Sequence, residues 1–167
     1  MTRGDIARVV TVGALAGVAG GLAEVGWISL YAAMTGFDAA TVARGVTDTL
    51  RLATQAPVAA GITIHMGIAA TLGIAVALAL KPLRARISHA GFCAAVTVLL
   101  AAVWAVNFLL VLPVVNPSFV AIVPFAVSFV SKLMFGVAAA ACLTIADDFG
   151  RVMPAEARVR SGRRQRR

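Results

Sequence analysis

Charged side chains are scarce in this chain. Asp, Glu, Lys and Arg make up 13% of its 167 residues, whereas 60% are hydrophobic, and the mean hydropathy is +0.93. A water-soluble domain of this length has too little interior to hide so much apolar surface. The composition therefore excludes an ordinary soluble protein. It predicts one integral membrane domain, residues 1–150, followed by a basic tail, residues 151–167.

Cysteine and sequence motifs for catalysis are also lacking. Cys93 and Cys142 have no CxxC pairing and no adjacent histidine, and we interpret both as small buried hydrophobic residues. Walker loops, HExxH, GxSxG and dinucleotide-binding fingerprints do not occur in the sequence. We therefore expect neither an enzyme nor a bound metal ion.

Four long apolar runs dominate what is present. They cover residues 9–34, 57–80, 90–112 and 119–146, and each reaches the roughly 20 residues that a helix needs to cross a bilayer. The runs predict an all-α integral membrane protein in which four transmembrane helices form a bundle.

Basic residues mark one side of these runs. Arg3 and Arg8 precede the first run, three bases lie within residues 81–86, and the tail is rich in arginine. By the positive-inside rule, this placement predicts that the N- and C-termini are both cytoplasmic. Because the bases of the tail follow a membrane span, we expect them to contact anionic lipid headgroups and not nucleic acid. They are Arg158, Arg160, Arg163, Arg164, Arg166 and Arg167.

The first external loop, residues 35–56, is too long for a tight turn. Phe37, Val42, Val46 and Leu50 recur in it at nearly helical spacing. This pattern favours a short amphipathic helix at the membrane interface, with a solvated loop as the alternative.

A proline-to-polar spacing occurs twice. Pro57 precedes His65 by eight residues, and Pro124 precedes Lys132 by the same number. We hypothesise a pseudo-repeat of two helical hairpins, related by an axis along the membrane normal.

Each apolar run contains one isolated polar residue: Glu24, His65, Asn107 and Lys132. Such residues are costly inside a span and mark functional or assembly sites. Helical geometry places the three ionisable ones near one depth, with Asn107 slightly further out. We therefore hypothesise a buried polar cluster that binds a substrate, carries protons or directs assembly. Two alternatives remain open: a purely structural Glu24–Lys132 pair, or a lysine that faces a partner subunit.

The first run also carries closely spaced glycines. Gly13, Gly17, Gly20 and Gly21 give overlapping small-residue spacings on the face of Glu24. Such spacings let another helix approach closely in lipid. We predict that these glycines pack against a neighbouring helix, a partner subunit or a second copy in a homodimer.

A haem site needs an axial ligand, and the chain has two histidines. His65 and His89 lie in opposite halves of the membrane, which argues against bis-histidine ligation in one chain. No cofactor is predicted. A haem, quinone or pigment bound near His65 is the weakest of the functional alternatives.

The first half of the chain resembles the YagU-like small inner-membrane proteins of bacteria. The residues that carry the resemblance are Gly13-Ala-Leu-Ala-Gly17, the acidic Glu24, and His65 with the small-residue stretch that ends near Gly73. The resemblance implies four spans in a bacterial inner (plasma) membrane, and it implies no activity.

Taken together, these patterns predict a non-enzymatic function. The leading expectation is a small subunit or accessory protein of a bacterial membrane complex, packed through its small-residue helix faces. The main alternative is a small transporter or proton-conducting protein that uses Glu24, His65 and Lys132.

Overall fold

The computed structural model describes residues 3–84 and 86–164, and in residues 147 and 149–164 it describes the backbone alone. Within these ranges the regular structure is helical throughout, which confirms the all-α prediction. The helices are α1 (Arg3–Thr35), α2 (Ala39–Thr49), α3 (Pro57–Arg84), α4 (His89–Val106), α5 (Leu112–Val115), α6 (Pro117–Ile122) and α7 (Phe125–Arg164). A π-helical turn, Asn107–Val111, joins α4 to α5.

Four segments of the described chain are long and apolar enough to cross a membrane: α1, α3, His89–Val115 and the Phe125–Ala146 part of α7. Their outer surfaces carry large aliphatic side chains that are more than half exposed. Examples are Leu22, Ile68, Val98, Leu110 and Val137. This surface suits the hydrocarbon of a bilayer, as expected for a multi-pass membrane protein.

Near Pro124 and Pro82, two helix boundaries differ from the predicted ones. The fourth membrane helix begins at Phe125, not at residue 119, because Val123 is extended before Pro124 and separates α6 from α7. A residue before proline is disfavoured in helical geometry. In α3 the helix continues past Pro82 and ends at Arg84.

The four membrane helices lie in the order α3, α1, α7, α4. Helix α1 packs along both α3 and α7, α7 also packs along α4, and α3 makes few contacts with α4. At one end of the bundle the Arg8 guanidinium donates to the Ala146 carbonyl over 3.3 Å. The start of α1 and the end of the fourth span therefore meet at the same end. We call it the inner end, and the opposite one the outer end, only to match the predicted topology.

Glycines allow α1 and α3 to touch backbone to backbone. A Cβ atom at Gly17 would overlap the Ala69 carbonyl, and one at Gly73 would overlap the backbone of Gly13 and Gly17. A Cβ at Gly13 would lie 2.8 Å from the Ile74 Cα atom. The glycine face of α1 is thus filled by helices of its own chain. It is not free to form the homodimer interface that the sequence suggested.

Helix α2 is present in the loop between α1 and α3, as predicted, and Asp38 caps its N-terminus. The Asp38 carboxylate accepts the Ala40 amide over 2.9 Å and the Thr41 hydroxyl over 3.0 Å. It also pairs with the Arg44 guanidinium, and this hydrogen bond is the main reason that the pKa of Asp38 is lowered.

The position of α2 is set by the helix face that carries Gly45 and Thr47, its buried residues. The Thr47 hydroxyl, fully buried, donates to the Pro57 carbonyl over 2.6 Å. Gly45 lies against the Phe119 ring, and the Asn116 amide donates to the Thr49 hydroxyl over 2.9 Å. Helix α2 is therefore wedged between α3 and α6 at the outer end of the bundle.

Aromatic side chains join α4 to α7 near the same end. The Trp104 ring contacts Phe108, Phe125 and Phe129, with the closest centroids 4.9 Å apart. Its indole N–H donates to the Ser128 hydroxyl over 3.1 Å. These contacts fix the start of α7, which carries Lys132.

Gly17→Ala is predicted to lower the free energy of unfolding by about 2 kcal/mol, because overpacking a close seam forces the helices apart. Gly26→Ala is the control, since a Cβ there has no atom within 4 Å. Thermal unfolding of the purified protein in detergent measures both. Equal stability of the two variants would contradict the close α1–α3 contact.

Candidate functional site

Glu24 lies in the interior of the membrane bundle. It belongs to α1, which has α3 on one side and α7 on the other, and it is 6% exposed. A carboxylate in this position needs a compensating charge or a proton, because hydrocarbon does not solvate it.

Lys132 of α7 supplies the compensating charge. Its ammonium nitrogen lies 2.7 Å from Glu24 Oε1. The Ser131 hydroxyl donates to the same oxygen over 3.3 Å. Lys132 therefore faces the interior of its own bundle. This argues against the alternative that it faces a partner subunit.

The Lys132 ammonium lies over the face of an aromatic ring. Lys132 Nζ lies 4.9 Å from the centroid of the Phe135 ring, an attractive cation–π contact. Phe135 is fully buried, and a Cβ at Gly20 would lie 2.6 Å from this ring. Gly20 thus serves a different neighbour from the other glycines of α1, because it provides the notch that receives Phe135.

His65 of α3 approaches the second carboxylate oxygen. Its Nε2 atom lies 3.6 Å from Glu24 Oε2. Both atoms are buried, and neither has a hydrogen-bond partner among the described residues. The His65 side chain is nevertheless 29% exposed.

The structure thus brings together Glu24, His65 and Lys132, which we call the polar cluster. Asn107 is not part of it. Its side chain is exposed at the first residue of the π-helical turn, and the adjacent Phe108 is buried instead. Trp104 and Phe108, one helical turn apart, occupy the face that packs on α7, and the regular helical period places Asn107 at the edge of that face.

Several other predicted residues lie elsewhere. Cys93 and Cys142 are half-buried free thiols beside the hydrophobic core. His89 is at the inner end, 3.9 Å from the Asp148 carboxylate. Among the described side chains, no group of three His, Cys, Asp or Glu residues could hold a metal ion. The tail arginines Arg158, Arg160, Arg163, Arg164, Arg166 and Arg167 lie outside the described side chains.

The chemistry open to the polar cluster is proton exchange. One carboxylate is shared between an ammonium group and an imidazole, so a proton added at His65 or Glu24 changes how strongly Lys132 is held. An imidazole has two nitrogen atoms and can take a proton at one and release a proton from the other. Here Nε2 faces Glu24 Oε2, and the side chain as a whole is 29% exposed.

Comparison with known proteins adds no assignment. No protein-family model, curated protein or solved structure matches the chain. The function must therefore be argued from the polar cluster itself.

The Glu24–Lys132 pair can be tested by a double-mutant cycle. Glu24→Gln and Lys132→Met each leave one buried polar partner uncompensated, and each is predicted to cost about 3 kcal/mol of stability. The double variant Glu24→Gln/Lys132→Met removes both charges and is predicted to recover most of that loss. Thermal unfolding in one detergent compares all four proteins. Additive losses would show that the two side chains do not interact.

Proposed function

We propose that this chain is a small membrane protein that conducts protons, or couples their movement to a substrate, through Glu24, His65 and Lys132. One observation carries the proposal. Glu24 Oε2 and His65 Nε2 face each other at 3.6 Å, buried and without hydrogen bonds, in the interior of a membrane bundle. A purely structural pair has no need to leave two such atoms unsatisfied.

In this mechanism Glu24 is the buried proton acceptor. A movement that closes the gap between Nε2 and Oε2 to hydrogen-bonding distance allows the proton to pass from His65 to Glu24. The neutral Glu24 then attracts Lys132 less strongly, and the contact between α1 and α7 loosens. The cation–π contact with Phe135 keeps Lys132 near the site, so that it returns when Glu24 loses the proton again.

The setting that we propose is a bacterial plasma membrane with both termini in the cytoplasm. It rests on the bases before α1 and within residues 81–86, and on the arginine-rich tail. We further propose that the tail binds anionic lipid headgroups. The two-hairpin pseudo-repeat is supported by the starts of α3 and α7, which lie at or directly after Pro57 and Pro124.

Proton flux into liposomes tests this function. The full chain is reconstituted with a pH-sensitive dye inside, and an imposed potential drives proton entry. Glu24→Gln is predicted to lower the flux by about 100-fold, because the acceptor is lost. Asp48→Asn, an acid-to-amide change at an exposed residue of α2, is the matched control and retains the flux.

A second variant separates loss of function from loss of folding. Glu24→Gln/Lys132→Met is predicted to fold stably and still to conduct no protons above empty liposomes. Wild-type flux in this double variant would overturn the assignment of Glu24 as the acceptor.

An accessory subunit of a larger membrane complex is the second candidate. The observation that favours it is the open order α3, α1, α7, α4, in which α3 and α4 make few contacts. A closed ring of helices would leave less surface for a partner. In this function the polar cluster stabilises the fold and transfers no protons.

Native mass spectrometry of the chain, extracted gently from its host membrane, distinguishes the two candidates. Proton conduction by the chain itself predicts a monomer or a homo-oligomer. A defined mass of other polypeptides, retained in stoichiometric amount, would favour the subunit.

A further inference from the structure

Asn107 is the residue of the predicted polar set that the polar cluster leaves out. Its side chain is exposed on the membrane span His89–Val115, at the first residue of the π-helical turn. Among the described residues, its amide group has no hydrogen-bond partner. A primary amide has two N–H donors and a carbonyl acceptor to satisfy. On a soluble protein water would satisfy them, but Asn107 lies in a membrane span.

The surroundings of Asn107 are apolar both before and after it along the span. The side chains beside it are more than half exposed and recur every four residues: Val106 at 52%, Leu110 at 64% and Val114 at 82%. Asn116, nine residues further on, donates to Thr49 of α2 at the outer end of the bundle. Asn107 therefore lies about 13 Å from that level, toward the middle of the span. Hydrocarbon at this depth offers an amide no hydrogen bond, so the group needs a partner.

The position of α4 in the bundle leaves room for such a partner. Helix α4 is the last in the row α3, α1, α7, α4, and it packs along α7 while it makes few contacts with α3. Its other side is therefore not covered by the described part of the chain. The span His89–Val115 contains no Asp, Glu, Lys or Arg, so two such surfaces can meet without charge repulsion.

A second copy of this chain supplies the group that Asn107 lacks. Copies with the same topology have this residue at the same depth, and a two-fold axis along the membrane normal brings equivalent surfaces together. Each amide can then donate an N–H group to the carbonyl oxygen of the other. In lipid, where apolar contact alone gives little, such hydrogen bonds hold helices together. A different polypeptide would need its own polar residue at this depth, whereas a copy has one by symmetry.

We propose that two copies of this chain pair through the exposed side of α4, with reciprocal hydrogen bonds between their Asn107 amides. Around this contact the interface is apolar and includes Leu110 and Val114. It uses neither the glycine face of α1 nor the polar cluster. The proposal is therefore independent of the proposed function, and proton flux does not decide it.

Energy transfer between full chains labelled at the N-terminus with a donor or an acceptor measures the pairing in liposomes, as the protein-to-lipid ratio is lowered. The wild-type chain is expected to pair. Asn107→Leu is expected to raise the dissociation constant about tenfold, the effect of losing two interhelical hydrogen bonds in lipid. Asn107→Gln keeps the amide group and is expected to retain most of the pairing. A monomeric wild-type chain, or equal constants for wild type and Asn107→Leu, would overturn the proposal.

Thr71→Leu is the matched control for this measurement. It also replaces an exposed polar side chain of a membrane helix by leucine, but it lies on α3, at the opposite end of the row of helices. It is expected to leave the dissociation constant unchanged. A loss of pairing as large as that of Asn107→Leu would overturn α4 as the interface.

Cross-linking tests the geometry in the host membrane. In a chain with Cys93→Ala and Cys142→Ala, the further change Asn107→Cys is expected to give a disulfide-linked dimer on oxidation, since its Cα atoms would lie within about 7 Å across the axis. Ile68→Cys, at a position of α3 that is 58% exposed, is the control and is expected to remain a monomer. A dimer from Ile68→Cys alone would overturn the α4 interface. A disulfide from Asn107→Cys to a different polypeptide would overturn the second copy as the partner.

Discussion

The close contact of α1 with α3 is the constraint on which the rest of the structure depends. Gly17 and Gly73 bring the two backbones into contact, and two turns further along α1 the Glu24 carboxylate lies 3.6 Å from His65 of α3. Helix α1 then has α7 on its other side, and the carboxylate lies between an imidazole and an ammonium group. The ion pair is the product of this packing. In lipid, where apolar surfaces gain little by meeting each other, small residues and polar contacts of this kind supply the driving force.

Much of this arrangement could be predicted from the sequence. The hydrophobic runs are long enough to define four spans, and one helical period places Glu24, His65 and Lys132 at a common depth on inward faces. Periodicity carries no information on which helices are neighbours. The notch of Gly20 for Phe135, and the use of the glycine face inside one chain, depend on that neighbour order and could not be predicted.

Two further differences have local causes. Asn107 was grouped with the other three polar residues because each stands alone in an apolar run, yet the regular helical period places it only at the edge of the face that carries Trp104 and Phe108. Helix α2 was predicted from its apolar stripe, yet Gly45 and Thr47 are its buried residues. Its position depends on hydrogen bonds to Pro57 and Asn116, partners that are distant in sequence and invisible to a pattern of hydropathy.

The neighbours of α1 also bear on biogenesis. Glu24 enters the membrane with the first span, His65 arrives with the second, and Lys132 arrives only with the last. The carboxylate therefore lacks its compensating ammonium group until α7 has been synthesised. Until then it must be held protonated or sheltered by the insertion machinery, since an unpaired charge in hydrocarbon is costly. The ion pair thus forms only after α7 has joined α1, and a chain truncated before α7 leaves the Glu24 carboxylate without its ammonium partner.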